Sequence, residues 1–264
     1  MKSPPRFIRS PRVRTTILAV ASVVAIGVVF ACADSIAPDE SGTFFGPLTV
    51  MAGGSARAYV TLDRAGAPTE LGVALNEASL TGLPAAAAEY VFALPAQAST
   101  TAYKHAVINW APTGHPPAGV YTVPHFDVHF YMIDQTQREA ILLGDAQLAA
   151  KMANQPAAPF VPAGYAIGMG SALMGLHWND PEAPERKGAP FTKTFIYGSY
   201  DGTFTFGEPM MSLAYLQTKP VADVTTIKLP TQYATKGYQP TTYTIDFDAN
   251  AKEYRIALTG LVNR

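Results

Sequence analysis

Apolar and polar residues alternate along several stretches of the chain. The stretch "SARAYVTLD" (55–63) is followed by a Gly/Pro turn and "LGVAL" (71–75), which predicts an antiparallel hairpin. Near the C-terminus, "TTYTIDFD" (241–248) and "EYRIALTGLV" (253–262) predict another. Tyr243, Ile245 and Phe247 fall on one side of its first strand, because side chains along a strand point alternately to its two faces. These patterns predict strands that each bury one face.

A further hairpin is predicted at "FTKTFIYGSYDGTFTF" (191–206), with its turn at Tyr200-Asp201-Gly202. Helix signals are fewer. Residues 135–153 predict two short helices broken at Gly144, and "NEASLTGL" and "PMMSLAYLQT" predict about two turns each. The whole pattern predicts a mainly β fold over residues 47–264, a single β-rich barrel or sandwich-like domain with long loops and a few short helices.

The N-terminus has the pattern of an export signal. Five basic residues lie in the first fourteen positions, and an uncharged, mostly apolar run follows from Thr15 to Ala33. Cys32, the one cysteine, stands at the end of this run, and "VFAC" resembles a bacterial lipobox, with Phe30 bulkier than is usual at its position. We therefore predict a lipoprotein-type signal peptide over 1–31, lipidation of Cys32 and a tether over 32–46. A plain signal peptide or an uncleaved anchor is the alternative.

These features predict an extracytoplasmic protein held at the membrane by its lipid. After removal of the predicted signal peptide, 14 basic residues remain against 20 acidic ones. A domain with that excess of negative charge is not attracted to phosphate backbones, so we expect no nucleic-acid partner. It has no disulfide to rely on and must be stabilised by its core.

The stretch "PHFDVHFYMI" (124–133) carries the candidate chemistry. In a strand, His125, Asp127 and His129 share one face, while the intervening apolar residues share the other. Residues i and i+4 of a strand are about 13 Å apart, so His125 and His129 reach one ion only from opposite sides. Residues i and i+2 are about 6.6 Å apart, so the pairs that chelate easily are His125 with Asp127 and Asp127 with His129.

Further ligands would come from distant parts of the sequence. His177 lies in "MGLHWNDPE", and Glu208 follows the strand pattern that ends near Phe206. Histidine and carboxylate ligands of this kind suit a divalent transition metal, Zn²⁺, Mn²⁺ or Fe²⁺. We therefore predict a metal site among His125, Asp127, His129, His177 and Glu208. The ordinary alternative is that these histidines form structural hydrogen bonds on a strand.

Three motifs together resemble a family of uncharacterised bacterial extracytoplasmic proteins, first studied in a Thermus protein controlled by an extracytoplasmic sigma factor. The motifs are "GHPPAGVYTVPHFDVHFYMI", "MGLHWNDPEAPE" and "TFIYGSYDGTFTFGEPMM". The resemblance spans roughly residues 46–218. It implies a β-rich, exported protein, and its motifs include His115, Asp180 and the five predicted metal-site residues. It implies no activity, because the family has none established.

Two functions are consistent with the sequence. The first is a metal-binding domain of unknown substrate that is exported and anchored at Cys32, and that could act as a metal-dependent enzyme with its His, Asp and Glu residues. The second is a non-catalytic structural or ligand-binding lipoprotein of the cell envelope. The abundance of tyrosine and phenylalanine is compatible with homo-oligomers.

Overall fold

The computed structural model describes residues 1, 3 and 41–264. The predicted signal peptide, apart from residues 1 and 3, and the predicted lipidation site at Cys32 lie outside the described residues. Residues 41–264 belong to one compact unit. Within the described part of the chain, no helix has the length and apolar character needed to cross a membrane.

The described residues form sixteen strands and three α-helices. The strands are β1 (Gly42–Phe45), β2 (Thr49–Met51), β3 (Gly54–Leu62), β4 (Pro68–Asn76), β5 (Ala88–Ala93), β6 (His105–Ala111), β7 (His125–Tyr131), β8 (Ala166–Ser171), β9 (Gly175–Asn179), β10 (Lys193–Tyr200), β11 (Thr203–Ser212), β12 (Asp223–Thr226), β13 (Tyr238–Gln239), β14 (Thr242–Asp248), β15 (Glu253–Thr259) and β16 (Val262–Asn263). The helices are α1 (Gln135–Glu139), α2 (Leu148–Ala153) and α3 (Leu213–Gln217).

Two open antiparallel sheets contain most of these strands. Sheet 1 has the order β1-β3-β4-β15-β14-β12, with β2 also paired to β3. Sheet 2 has the order β5-β6-β7-β11-β10-β9-β8, and β13 pairs with β16 separately. The prediction of a mainly β fold is confirmed. Of the two predicted architectures, the sandwich is the one formed.

The main core lies between the two sheets. Sheet 1 contributes alternate side chains such as Val60, Val73 and Ile256, and sheet 2 contributes Ile108 and Val128 from its facing side. All five are fully buried. Because apolar burial is the main driving force for folding, this contact between sheets holds the sandwich together.

The other face of sheet 2 is covered as well. We call this face, which points away from sheet 1, the outer face. Tyr121, Phe191, Ile196 and Met210 form a second apolar cluster on it. Every residue of β7 is therefore buried, including its polar ones. A strand with both faces buried places its polar side chains inside the protein, where each needs a partner.

Several local predictions are confirmed. The segment 135–153 contains α1 and α2, with Gly144 between them at φ +94°. The turn at Asp201-Gly202 has positive φ at both residues, as a tight hairpin turn requires. One feature differs: residues 42–45, predicted to belong to the tether, form β1 and pair with β3.

Candidate metal centre

Strand pairing brings the predicted site residues onto the outer face of sheet 2. On β7, side chains alternate, so His125, Asp127 and His129 project from this face while Phe126, Val128 and Phe130 enter the main core. The register of β11 against β7 sets Met210 opposite Asp127 and Gly207 opposite Phe130, which places Glu208 beside His129. The strand order therefore assembles residues that are 79 positions apart in the sequence.

His177 reaches the same region from β9, two strands further along. It pairs with Gly198 of β10, and Ile196 of β10 pairs with Glu208. Because Gly198 has no side chain, the ring of Phe206 lies over it and packs edge-on against His177, with 5.5 Å between ring centroids. The absence of a side chain at Gly198 leaves the space in which Phe206 and His177 contact each other.

The residues form two clusters of three. Cluster 1 consists of His115, His125 and Asp127, and cluster 2 of His129, His177 and Glu208. Within each cluster, the potential ligand atoms all lie within 4.8 Å of one another. Each cluster thus offers two imidazoles and one carboxylate, a set of donors that holds Zn²⁺ and Fe²⁺ in many proteins.

Hydrogen bonds orient three of the imidazoles. Nδ1 of His125 lies 2.7 Å from the carbonyl oxygen of Val123. Nδ1 of His177 lies 2.8 Å from that of Met169, and Nδ1 of His115 lies 2.8 Å from that of Pro116. A carbonyl only accepts, so Nδ1 carries a proton, and in a neutral ring the Nε2 lone pair then points into the cluster. Metal-binding histidines are commonly fixed in this way.

The contacts inside the clusters have the spacing of metal ligands. His129 Nε2 lies 3.3 Å from Glu208 Oε2, and His125 Nε2 lies 3.1 Å from Asp127 Oδ1. Among the described residues, these four buried atoms have no hydrogen-bond partner. Two ligands of a tetrahedral ion with bonds of about 2.05 Å are about 3.3 Å apart. The distances therefore fit a shared ion, whereas buried polar atoms are normally hydrogen-bonded.

Electrostatics differ between the two clusters. Burial lowers the pKa of His177, and the charge of Glu208 offsets this only in part, so its imidazole is neutral and able to bind metal at pH 7. In cluster 1, burial disfavours a charged His115, but Asp127 outweighs it and raises the pKa of His115 to about 9. Burial likewise disfavours a charged Asp127, yet the protonated His115 beside it holds the pKa of Asp127 well below the usual value.

A cavity of about 420 Å³ opens beside both clusters. Its wall includes His115 and Asp127 from cluster 1, all three residues of cluster 2, and the guanidinium of Arg186. The hairpin of β8 and β9 and the connection between β6 and β7 form much of the rest. A small molecule in this cavity would therefore contact atoms of both clusters.

Residues 63–110 match a protein family described as TTHB210-like, hypothetical protein TTHB210. The predicted resemblance to this family is confirmed over that segment. It contains β4 and β5 and most of β6, but none of the residues of clusters 1 and 2. Comparison with curated proteins and with solved structures gave no match.

The structure distributes the predicted site residues over two clusters. His125 and Asp127 lie in cluster 1, while His129, His177 and Glu208 lie in cluster 2. The expected separation of His125 from His129 along a regular strand explains this division.

His115 was not among the predicted ligands. The sequence feature that could have indicated it is its place in the "GHPPAG" turn of the first motif. Two neighbouring polar residues take no part: Asp180 pairs with Lys228, and Glu182 pairs with Lys187.

Replacing Gly198 by alanine is expected to disturb cluster 2. A Cβ atom at this position would lie 2.0 Å from the ring of Phe206, whose centroid is 4.8 Å from that of His129. We expect a loss of about 2–3 kcal/mol in the free energy of unfolding, since overpacked cores cost this much. Urea denaturation would measure it. Adding Phe206→Leu should restore part of the loss, and a Gly198→Ala protein as stable as wild type would refute the close contact.

His105 makes stability depend on pH. Its ring stacks on Tyr131, and burial together with the charge of Arg138 lowers its pKa to about 4. An unfolded histidine titrates near pH 6.5, so the unfolded state binds more protons below that pH. The contribution of His105 to the free energy of unfolding is thus fully present above pH 6.5. It falls by about 2–3 kcal/mol as the pH drops to 4.5.

Urea denaturation at pH 7 and pH 4.5 tests this dependence on His105. The His105→Phe variant keeps the stacking on Tyr131 and cannot titrate. Acidification should therefore lower its free energy of unfolding by about 2–3 kcal/mol less than that of wild type. An equal loss in the variant and in wild type would show that His105 is not the group responsible.

Proposed function

We propose that this protein is an exported, membrane-anchored domain that binds a divalent transition metal through cluster 2. The observation that carries the proposal is the convergence of His129, His177 and Glu208 at the wall of a cavity. Their ligand atoms lie within 4.8 Å of one another, and no hydrogen bond satisfies the facing atoms of His129 and Glu208 within residues 41–264. In that setting, a shared cation would compensate the buried carboxylate.

The donor set indicates the class of metal. Two imidazoles and one carboxylate form the ligand set of many catalytic Zn²⁺ sites and of non-haem Fe²⁺ sites, and Mn²⁺ also accepts it. Three protein ligands leave coordination positions open toward the cavity. An ion held in this way lowers the pKa of bound water or polarises a substrate oxygen. The arrangement therefore supports a metal-dependent enzyme, with a small molecule in the cavity as substrate.

The chain's own residues would orient that small molecule. Arg186 contributes a positive charge to the cavity wall, and Asn179 contributes an amide. The apolar side chains of Met174 and Ile196 line the same space. A ligand with an anionic group and an apolar part suits this lining best, because the guanidinium binds carboxylate or phosphate oxygens.

The proposed location rests on the sequence. The basic start, the apolar run and the lipobox-like sequence at Cys32 support export and lipid anchoring. Radiolabelled palmitate incorporation in cells, lost on Cys32→Ser, would support the anchor. Absence of label in wild type would count against it.

Metal analysis tests the binding function. The full chain, purified without a histidine tag and equilibrated with Zn²⁺ or Co²⁺, is expected to retain the ion after gel filtration. His177→Ala should lose the ion bound at cluster 2, whereas the matched control His105→Phe should retain wild-type metal content. His105 lies in the same sheet but in neither cluster. A folded wild type without metal would leave the non-catalytic envelope module as the better account.

A further inference from the structure

We propose that cluster 1 is a second cation site, so that the cavity holds two divalent ions in neighbouring positions. This proposal rests on the proposed metal-binding function of cluster 2. It assigns His115, His125 and Asp127 as ligands of a second ion of the same class. Asp127 and His129 are two residues apart on one strand face, about 6.6 Å between Cα atoms, so the sites are adjacent.

Buried atoms of cluster 1 face one another without a hydrogen bond. His125 is fully buried and Asp127 is 5% exposed. His125 Nε2 and Asp127 Oδ1 lie 3.1 Å apart, and neither has a hydrogen-bond partner in the described part of the chain. A simple structural histidine would donate to the carboxylate. Here the proton of His125 is on Nδ1, bonded to Val123, which leaves two lone pairs facing one another. Such an arrangement is favourable when a cation lies between them.

His115 is held in place over Asp127. Its backbone N–H donates to the carbonyl of Tyr121 at 3.1 Å, and its Nε2 lies 3.5 Å from Asp127 Oδ2. Gly114 has φ +70°, and a Cβ there would meet the carbonyl oxygen of Tyr121 at 2.0 Å. Tyr121 packs into the apolar cluster of the outer face. The connection thus presents the His115 imidazole from a fixed position.

Two carboxylates line the cavity. Its wall carries the carboxylates of Asp127 and Glu208 on neighbouring strands, together with Arg186 and three histidines. The ion pairs of Asp127 within the described residues are with histidines, and those of Glu208 with His129. Two carboxylates facing one cavity attract cations, and two divalent ions satisfy both histidine–carboxylate clusters at once.

Titration with Co²⁺ tests the second site. Isothermal calorimetry and visible absorption of the full chain are expected to show two equivalents bound. His115→Ala should bind one, because removing a ligand weakens binding by more than the ~10–100-fold cost of losing a group that only orients a ligand. His115 lies in a connection with its side chain 41% exposed, so this change preserves folding. Asp127→Asn, of nearly equal size, serves as the second variant.

The outcomes separate the two proposals. Two equivalents in wild type, with one lost in His115→Ala and the other in His177→Ala, would establish both sites. One equivalent that His177→Ala removes and His115→Ala leaves would overturn the second site and retain the function of cluster 2. Binding that His177→Ala leaves unchanged would overturn the proposed function itself.

Discussion

Glu208→Gln is expected to weaken metal binding by more than ~100-fold and, at the same time, to stabilise the metal-free protein by about 1–2 kcal/mol. The loss of affinity follows because the substitution removes the charged ligand of cluster 2 and keeps its size. The gain follows because Glu208 is only 2% exposed and its Oε2 faces His129 Nε2 without a hydrogen bond. A glutamine amide could donate to that nitrogen across the 3.3 Å gap.

Two measurements on one pair of proteins test these opposite effects. Urea denaturation in the presence of a chelator gives the free energy of unfolding, and calorimetric titration with Zn²⁺ gives the affinity. If Glu208 served only the fold, glutamine would lower stability, and metal would make no difference between the two proteins. A destabilised metal-free Glu208→Gln protein would therefore contradict the account.

Saturating metal is expected to raise the melting temperature by about 8–16 °C. A ligand at 1,000 times its Kd stabilises the native state by about 4 kcal/mol, provided that the unfolded chain does not bind it. For a domain of this size, each kcal/mol shifts the melting temperature by about 2–4 °C. Clusters 1 and 2 draw their ligands from three strands and one connection, so unfolding disperses them and releases the ion.

Thermal denaturation with Zn²⁺, and again after addition of a chelator, measures this shift. His177→Ala should remove most of the shift that comes from cluster 2, whereas His105→Phe should show the full shift. If the metal raised the melting temperature of wild type and of His177→Ala equally, the stabilising ion would bind elsewhere.

Alternation of apolar residues predicted much of the fold. It placed Tyr243, Ile245 and Phe247 on one face, and all three are buried between the sheets. Alternation also separated His125 from His129, because a strand extends about 3.3 Å per residue and its geometry leaves little freedom. Local periodicity therefore predicts which side chains share a face.

The same periodicity could not show that β7 is buried on both faces. The outer face is covered partly by Tyr121 and Phe191, which lie in connections between strands. Connections have no repeating pattern, and their placement depends on contacts with distant residues. For the same reason, the sequence indicated no geometric link between His115 and Asp127, which are twelve positions apart.

The pairing between strands that are distant in the sequence could not be predicted either. Glu208 and His129 meet because β11 lies next to β7, and His177 joins them because β10 and β9 follow in the sheet. Alternation identifies strands but does not give their order in a sheet. The residue types alone suggested that His129, His177 and Glu208 could act together, and the sheet order supplies the geometry.

Anomalous diffraction from crystals grown with Zn²⁺ tests the central claim most directly. We expect a strong peak at the zinc edge about 2.0–2.2 Å from Nε2 of His129, Nε2 of His177 and a carboxylate oxygen of Glu208. A well-diffracting crystal without a peak at this position, or with peaks only at surface residues, would contradict the metal centre.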